Sequence, residues 1–368
     1  MTQGRQNVVH EKALVNQGAA LLFIGLKIIY WLVICVIAAG VFVYFLGHSG
    51  IGLWRPESFE LALTWSAPRP YAYRVLMPLA GDLIAPLLGP RISQQLAAFY
   101  ESVLGRELFR IQMDGAAFPS QVAVILTLMY ASLVGFATSI WRLLRELGYA
   151  RLVCYLHAPI LMIGSLSFFR GFGNMYDLPL LFLFSLGLVL MLRRRWGWYM
   201  LVFALATLNK ETTIVLFLIF CAYFFSRLEP LLFVRLSAQQ LAIFAALQGI
   251  VRFALRGNPG TPLEWHFNGQ LAMARQIVSN PAYALAWGGA VIVLAIMVMR
   301  GWRHKPEFMR RALWIVPVFL VLAVFWGTPL ELRGMLEIFP VLGILVLPPP
   351  PEPEPADQKV PQNSPGSP

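Results

Sequence analysis

Long apolar runs alternate with short polar breaks from Ile28 to Leu347. A helix needs about 20 apolar residues to cross roughly 30 Å of hydrocarbon. On that measure the runs at 28–46, 121–141, 152–169, 177–192, 196–225, 238–254, 283–299, 311–327 and 334–347 predict membrane helices. Composition agrees: of 368 residues, 58% are hydrophobic and 13% charged, with a mean hydropathy of +0.66, far from the balance of soluble domains. The pattern predicts an all-α integral membrane domain over 28–347, with about ten transmembrane helices including one hairpin of short helices. Residues 1–27 read as a cytoplasmic N-terminal segment. The proline-rich stretch from Pro348, "PPPPEPEPADQKVPQNSPGSP", is too polar to bury a core and reads as a disordered cytoplasmic tail over 348–368. The first run, Ile28–Leu46, is longer than a signal-peptide core and is followed by no small-residue cleavage site, so it is expected to stay as an anchor.

The stretch "ATLNKETTIV" at 206–215 breaks this pattern, because Asn209, Lys210 and Glu211 stand inside an otherwise apolar run. Charge supplies the explanation. Short loops rich in Lys and Arg stay in the cytoplasm, and four such loops carry Arg142/Arg145/Arg151, Arg193/Arg194/Arg195, Arg227/Arg235 and Arg300/Arg303/Lys305/Arg310/Arg311. If 196–225 crossed once, Arg227, Arg235 and the group at 300–311 would fall outside. If the run enters and returns, every basic loop shares one side. The run therefore reads as a hairpin with "NKET" at its turn and arms of about 13 residues, or roughly 20 Å, too short to reach the far surface. Charged groups at that depth need protein or water around them, which predicts an outward-facing polar cavity. The simpler alternative is that Lys210 snorkels and Glu211 neutralises it.

Other polar clusters fall on the same side of the charge map. The long segment 47–120 carries Glu57, Glu60, Arg69, Tyr73, Arg74 and Asp82 and reads as an external loop with interfacial helices, an expectation supported by Trp54, Trp65, Tyr71 and Tyr73. Within it, 74–88 is apolar but interrupted by Pro78 and Pro86, so it is expected to lie along the interface or dip in and return. The loop before 177 carries Arg170, Asn174, Tyr176 and Asp177, and the last loop carries Glu331 and Arg333. Arg and Lys hold phosphate by bidentate hydrogen bonds or as a point charge, and a carboxylate among them serves as a general base toward a hydroxyl. Blander roles stand beside these. Asp177 suits a helix N-cap, Glu331 and Arg333 suit a mutual pair, Glu57 and Glu60 suit solvated positions, and Arg69 and Arg74 suit lipid headgroups.

The motifs "YRVLMPLA" at 73–80, "NMYDLPLLF" at 174–182, "ALATLNKETTIVL" at 204–216 and "ELRGMLEIFPVLGIL" at 331–345, in that order, resemble those of bacterial polytopic glycosyltransferases of the GT-C class. The resemblance implies many transmembrane helices with interfacial helices in the first external loop. It also implies transfer of a sugar from a polyprenyl-phosphate carrier to an acceptor on the external face of the plasma membrane. The catalytic base would fall on Glu57, Glu60 or Asp82. Lys210 would hold the carrier phosphate, with Arg74 or Arg333. Unlike the usual pattern, no acid lies close to the end of the first run; the nearest are Glu57 and Glu60, spaced three apart.

The remaining loop, 255–282, has turns at Gly257, Pro259, Gly260 and Pro262, and its residues 264–278 predict a short amphipathic helix that carries His266, a possible acid or base. The three cysteines lie in apolar runs and suit packing, and the five histidines show no zinc spacing. No cofactor is called for, and a divalent metal stays open. The implied partners are membrane lipids, the lipid-linked sugar and an acceptor. The net charge of +11 sits in the basic loops and does not call for nucleic acid. Two other functions share the pattern: a transporter or flippase coupled through Lys210 and Glu211, and a non-catalytic membrane component of envelope biogenesis.

Overall fold

The structure is a computed structural model and describes residues 24–49, 57–104, 119–169, 173–327 and 332–351. The described residues form helices and connecting turns, with no β-strand. The helices are α1 (Ile24–Gly47), α2 (Glu57–Leu63), α3 (Leu76–Leu104), α4 (Pro119–Glu146), α5 (Arg151–Gly164), α6 (Asp177–Leu192) and α7 (Trp196–Asn209). They continue with α8 (Ile214–Phe224), α9 (Pro230–Ala254), α10 (Phe267–Ser279), α11 (Pro281–Met299), α12 (Glu307–Ala312), α13 (Ile315–Trp326) and α14 (Ile338–Leu345).

Six of these stretches are long and apolar enough to cross a membrane: α1, α4, α5 with its 3-10 extension to Phe169, α9, α11, and α12 with α13. The protein is therefore a multi-pass helical membrane protein. Among the described residues the other apolar runs fold into shorter pieces. The run 334–347 gives a 3-10 turn, Leu332–Met335, and the eight-residue α14, too short to cross alone.

The centre of the bundle is α4 packed against α6. Helix α6 is apolar on all sides and buried over most of its 16 residues, as a helix without a polar face must be. Gly135 of α4 makes room for Phe182: a Cβ there would sit 2.7 Å from the ring. Helices α9 and α11 lie at the periphery. Only 11% and 6% of their most apolar windows are buried, so their Leu, Val and Ile side chains are left for lipid.

The run 196–225 turns back on itself. Trp196 at the start of α7 lies 5.3 Å, ring to ring, from Phe224 at the end of α8, which requires the two helices to run antiparallel. Lys210 stops α7 with an extended backbone (φ −161°, ψ 138°), and the Thr213 hydroxyl donates to Ala206 O at 2.8 Å to close the turn.

All four basic loops gather at one end. Arg193 pairs with Glu146 at 3.1 Å, Arg227 pairs with Glu307, and the Lys305 ammonium donates to Leu345 O and, at 2.9 Å, to Met297 O. The start of the C-terminal stretch docks there too, since a Cβ on Gly301 would meet Pro349 at 3.3 Å and one on Gly148 would meet Pro350 at 3.9 Å. The disorder expected of 348–368 thus does not extend to its first residues, and 352–368, like 1–23, lies outside the described residues. Aromatic contacts give the direction of α1: Tyr30 meets Tyr155 near the basic end, and Phe45 meets Phe169 near the other.

From Leu76 the segment 74–88 is helical and ends at a bend, across which Ser93 Oγ donates to Ala85 O at 3.2 Å. It forms the first half of α3, which packs along α4 with Gly81 against Gln121 and Ile125, and is broken at Gly89 (φ 73°, ψ 162°) between Pro86 and Pro90. The preceding turn is fastened to the α9–α10 connection. Asn258 donates to Trp65 O and Ala67 O at 2.8 and 2.9 Å, Arg69 N–H donates to Pro259 O at 2.8 Å, and Arg69 Nη2 donates to Gly260 O at 2.6 Å. Gly260 has φ +88°, and a Cβ there would stand 2.7 Å from Arg69 O. Gly260→Ala is therefore expected to destabilise this junction by about 1 kcal/mol or more, read as faster proteolysis between residues 60 and 75 in detergent; wild-type cleavage rates would count against the junction.

Candidate functional site

At the end opposite the basic loops, four segments bring charged side chains together below the ends of the helices. The turn before α3 supplies Arg74, the start of α6 supplies Asn174, Tyr176 and Asp177, the hairpin turn supplies Asn209, Lys210 and Glu211, and the stretch before α14 supplies Arg333 and Glu337. Each segment is a break in helical structure, where backbone polar groups and charged side chains can satisfy one another within protein.

Three ion pairs organise the cluster. Arg74 holds Glu211 side-on, with Nη2 to Oε1 at 3.0 Å and Nε to Oε2 at 3.4 Å. Lys210 Nζ lies 3.4 Å from Glu337 Oε1, their side chains 6% and 0% exposed. Arg333 Nη1 lies 3.5 Å from the fully buried Asp177 Oδ2. Tyr176 is the hub. Its ring lies 4.4 Å beneath the Arg74 guanidinium and 6.0 Å from that of Arg333, and its hydroxyl accepts from Arg74. With its amide oxygen turned inward, Asn174 accepts from Arg333 Nη2 at 3.1 Å and from the Tyr176 hydroxyl at 2.6 Å. Asn209 donates to Tyr176 O at 2.9 Å, and Thr212 donates to Glu337. Asp177 is not an N-cap; its Oδ2 accepts from Asn174 N–H at 2.7 Å and closes the loop while facing Arg333.

This cluster forms one wall of a cavity of about 510 Å³, a size typical of ligand sites. Arg74, Tyr176, Lys210, Glu211, Arg252 and Arg333 line the polar side. The facing side is apolar: Met273 and Ile277 of α10, Trp287 of α11, and Phe319, Leu322 and Trp326 of α13. Gln270 ties α10 to the end of α13 by donating to Ala323 O and Gly327 O at 3.0 and 2.8 Å. The amphipathic helix expected at 264–278 is thus α10, and it covers the cavity.

Of the expected first-loop acids, Glu60 and Asp82 do not line this cavity. Asp82, on α3, accepts from the Trp65 indole at 2.9 Å, a contact fixed by the way α3 packs beside the 65–67 turn. Glu60 is exposed on α2, away from the lining residues. Arg69 is committed to Gly260, next to the cavity but not on its wall. Tyr73 lines the cavity beneath Arg252, whose guanidinium carbon lies 5.3 Å from the ring centre. The Glu57 side chain, Arg170 and Glu331 lie outside the described residues.

Three wall or cluster residues, Glu337, Arg252 and Glu264, fall outside the set expected from the sequence. Glu337 was legible as the one acid opening the last apolar run, four residues after Arg333. Arg252 was legible as a lone cation inside the 238–254 run. Glu264, a cavity-lining carboxylate 3.2 Å from His266 Nε2, had no distinguishing sequence signal. Among the described residues, no three His, Cys, Asp or Glu side chains converge as metal ligands.

Fold and site together define a multi-pass helical membrane protein with a half-polar, half-apolar cavity built on buried charge pairs. No family model, curated protein or solved structure matches the chain.

Lys210→Ala would leave Glu337 buried without its ammonium. Breaking such a pair costs about 3–5 kcal/mol, so the variant should show a lowered unfolding temperature in detergent. Combining Lys210→Met with Glu337→Leu should recover most of that loss. A double variant as unstable as the sum of the single ones would show that the two side chains are not coupled.

Proposed function

We propose that the protein is a membrane glycosyltransferase, similar to the GT-C class, that takes a sugar from a polyprenyl-phosphate carrier. The observation that carries this reading is the split cavity. A lipid-linked phosphate has an anionic head and a long apolar tail, and the wall of Arg74, Lys210, Arg252 and Arg333 faces an apolar wall from α10, α11 and α13. The positive-inside rule places the basic end in the cytoplasm and opens the cavity at the external face of a plasma membrane. Both described termini, Ile24 and Pro351, then lie toward the cytoplasm, and the shorter helices complete the crossings that the charge map requires.

The chemistry proposed is displacement at the anomeric carbon. The acceptor oxygen bonds to that carbon while the bond to the phosphate oxygen breaks, and the phosphate leaves with the electron pair. Fixed cations stabilise the charge that grows there. A base is needed for the acceptor proton. Of the two cavity-lining carboxylates among the described residues, Glu211 is held by Arg74, whereas Glu264 lies against His266 and no Lys or Arg of those residues, so Glu264 is the better-placed base. The absence of Glu60 and Asp82 from the wall favours keeping a binding or flipping role as the second reading.

Purified protein in lipid nanodiscs should bind polyprenyl phosphate saturably and bind the uncharged polyprenol at least tenfold more weakly, as followed by native mass spectrometry. Equal binding of both would sink the reading. With a polyprenyl-phosphate hexose, an enzyme releases free polyprenyl phosphate when acceptor is supplied, whereas a flippase only moves the intact lipid between leaflets.

A further inference from the structure

The cations on the cavity wall are not equivalent. Arg74 and Glu211, Lys210 and Glu337, and Arg333 and Asp177 are each a cation beside a carboxylate, so each pair adds little net charge toward the cavity. A fourth cation, Arg252 in the last turn of α9, has no carboxylate within ion-pair reach among the described residues. Its guanidinium is exposed and stands over the ring of Tyr73, itself buried in the 71–73 turn, which fixes where the charge sits. An ordinary reason for a cation at this position is the partial negative charge of a helix C-terminus. That accounts for Arg252 and equally for Arg256, but Arg256 packs on Phe253 at 4.2 Å and is absent from the cavity wall.

We infer that Arg252 is the residue that makes the direct contact with the ligand's anionic group, while the three neutralised pairs act as a fixed polar backing. This inference rests on the reading of the cavity as a lipid-phosphate site and names its anion contact. The physical reason is that an anion gains a full unit charge at Arg252 without displacing a carboxylate. At Lys210, Arg74 or Arg333 it would compete with an anion already held in protein. The contact at Arg252 is made through its charge, which the guanidinium keeps at every physiological pH. The aromatic support beneath it limits the side-chain freedom that would be lost on binding.

The test uses the full chain in nanodiscs with polyprenyl phosphate as probe, and compares wild type with Arg252→Gln, Arg252→Lys and Arg256→Gln. Each variant is first checked for a single size-exclusion peak and a wild-type unfolding temperature. Arg252→Gln should weaken binding about tenfold or more, the scale of one lost charge-assisted contact. Arg252→Lys should recover most of that affinity because it keeps the charge, and Arg256→Gln should bind as wild type does. Wild-type affinity in Arg252→Gln, equal losses in Arg252→Gln and Arg256→Gln, or a Lys variant as weak as the Gln variant would each overturn the assignment and leave the lipid-phosphate reading standing. Failure of the wild-type protein to bind polyprenyl phosphate overturns that reading and this assignment together. If the Gln variant does not fold, the Lys variant decides alone: affinity within a few-fold of wild type supports the assignment, and a loss of tenfold or more overturns it.

Discussion

Burying charge inside an apolar bundle is costly unless each charge has a partner, and the architecture of the cavity end follows from that constraint. Lys210 and Glu211 cannot both be accommodated by the hairpin that carries them, so each is answered from elsewhere: Glu337 comes from the stretch before α14 and Arg74 from the turn before α3. Asp177, at the buried start of α6, is answered by Arg333 from the same stretch as Glu337. Segments far apart in the chain are thereby fixed to one another at the level where the helices break. Tyr176 sits between two of the guanidinium groups and lets its ring and hydroxyl be shared.

That arrangement explains why the helices here are short. Helix α7 stops at Asn209 and α8 starts at Ile214, so the hairpin turn stays below the end of the bundle, where the partners are. The 3-10 turn before α14 does the same for Arg333 and Glu337. Full-length helices would carry those charges past the recess. Beside the cluster the cavity is lined by Met273 and Ile277 of α10 and by Trp287 of α11, a helix that packs little on the rest of the protein. One wall is therefore polar and rigid, and the other is apolar and peripheral, the combination that an amphiphile with a charged head requires.

Much of this is legible in the sequence. The distribution of Arg and Lys among short loops required 196–225 to return to the side it left, and the ring contact between Trp196 and Phe224 has that geometry. The same map put Arg74, Asn174, Asp177, Lys210 and Arg333 on one side, and they meet in one cluster. Pairing was not legible, because which carboxylate answers which cation is decided by tertiary contacts between segments more than a hundred residues apart, as for Arg74 and Glu211. Glu337 escaped notice since an acid at the start of an apolar run also suits a solvated helix end. The place of Asp82 off the cavity wall was not legible either. Asp82 has a polar neighbour in Trp65, but nothing in the local sequence says that the two meet or that α3 packs along α4 instead of over the cavity.

The central claim is that an anionic amphiphile enters this cavity with its tail against α10, α11 and α13. Photo-crosslinking with a polyprenyl phosphate carrying a diazirine on the first isoprene units tests it most directly, with the labelled peptides mapped by mass spectrometry. The account predicts labels concentrated at Met273, Ile277, Trp287, Phe319 and Leu322, and their loss when excess unlabelled polyprenyl phosphate competes. Labels spread over the exposed faces of α1 and α5, at Val36, Leu156 or Ile160, and insensitive to competitor would contradict it.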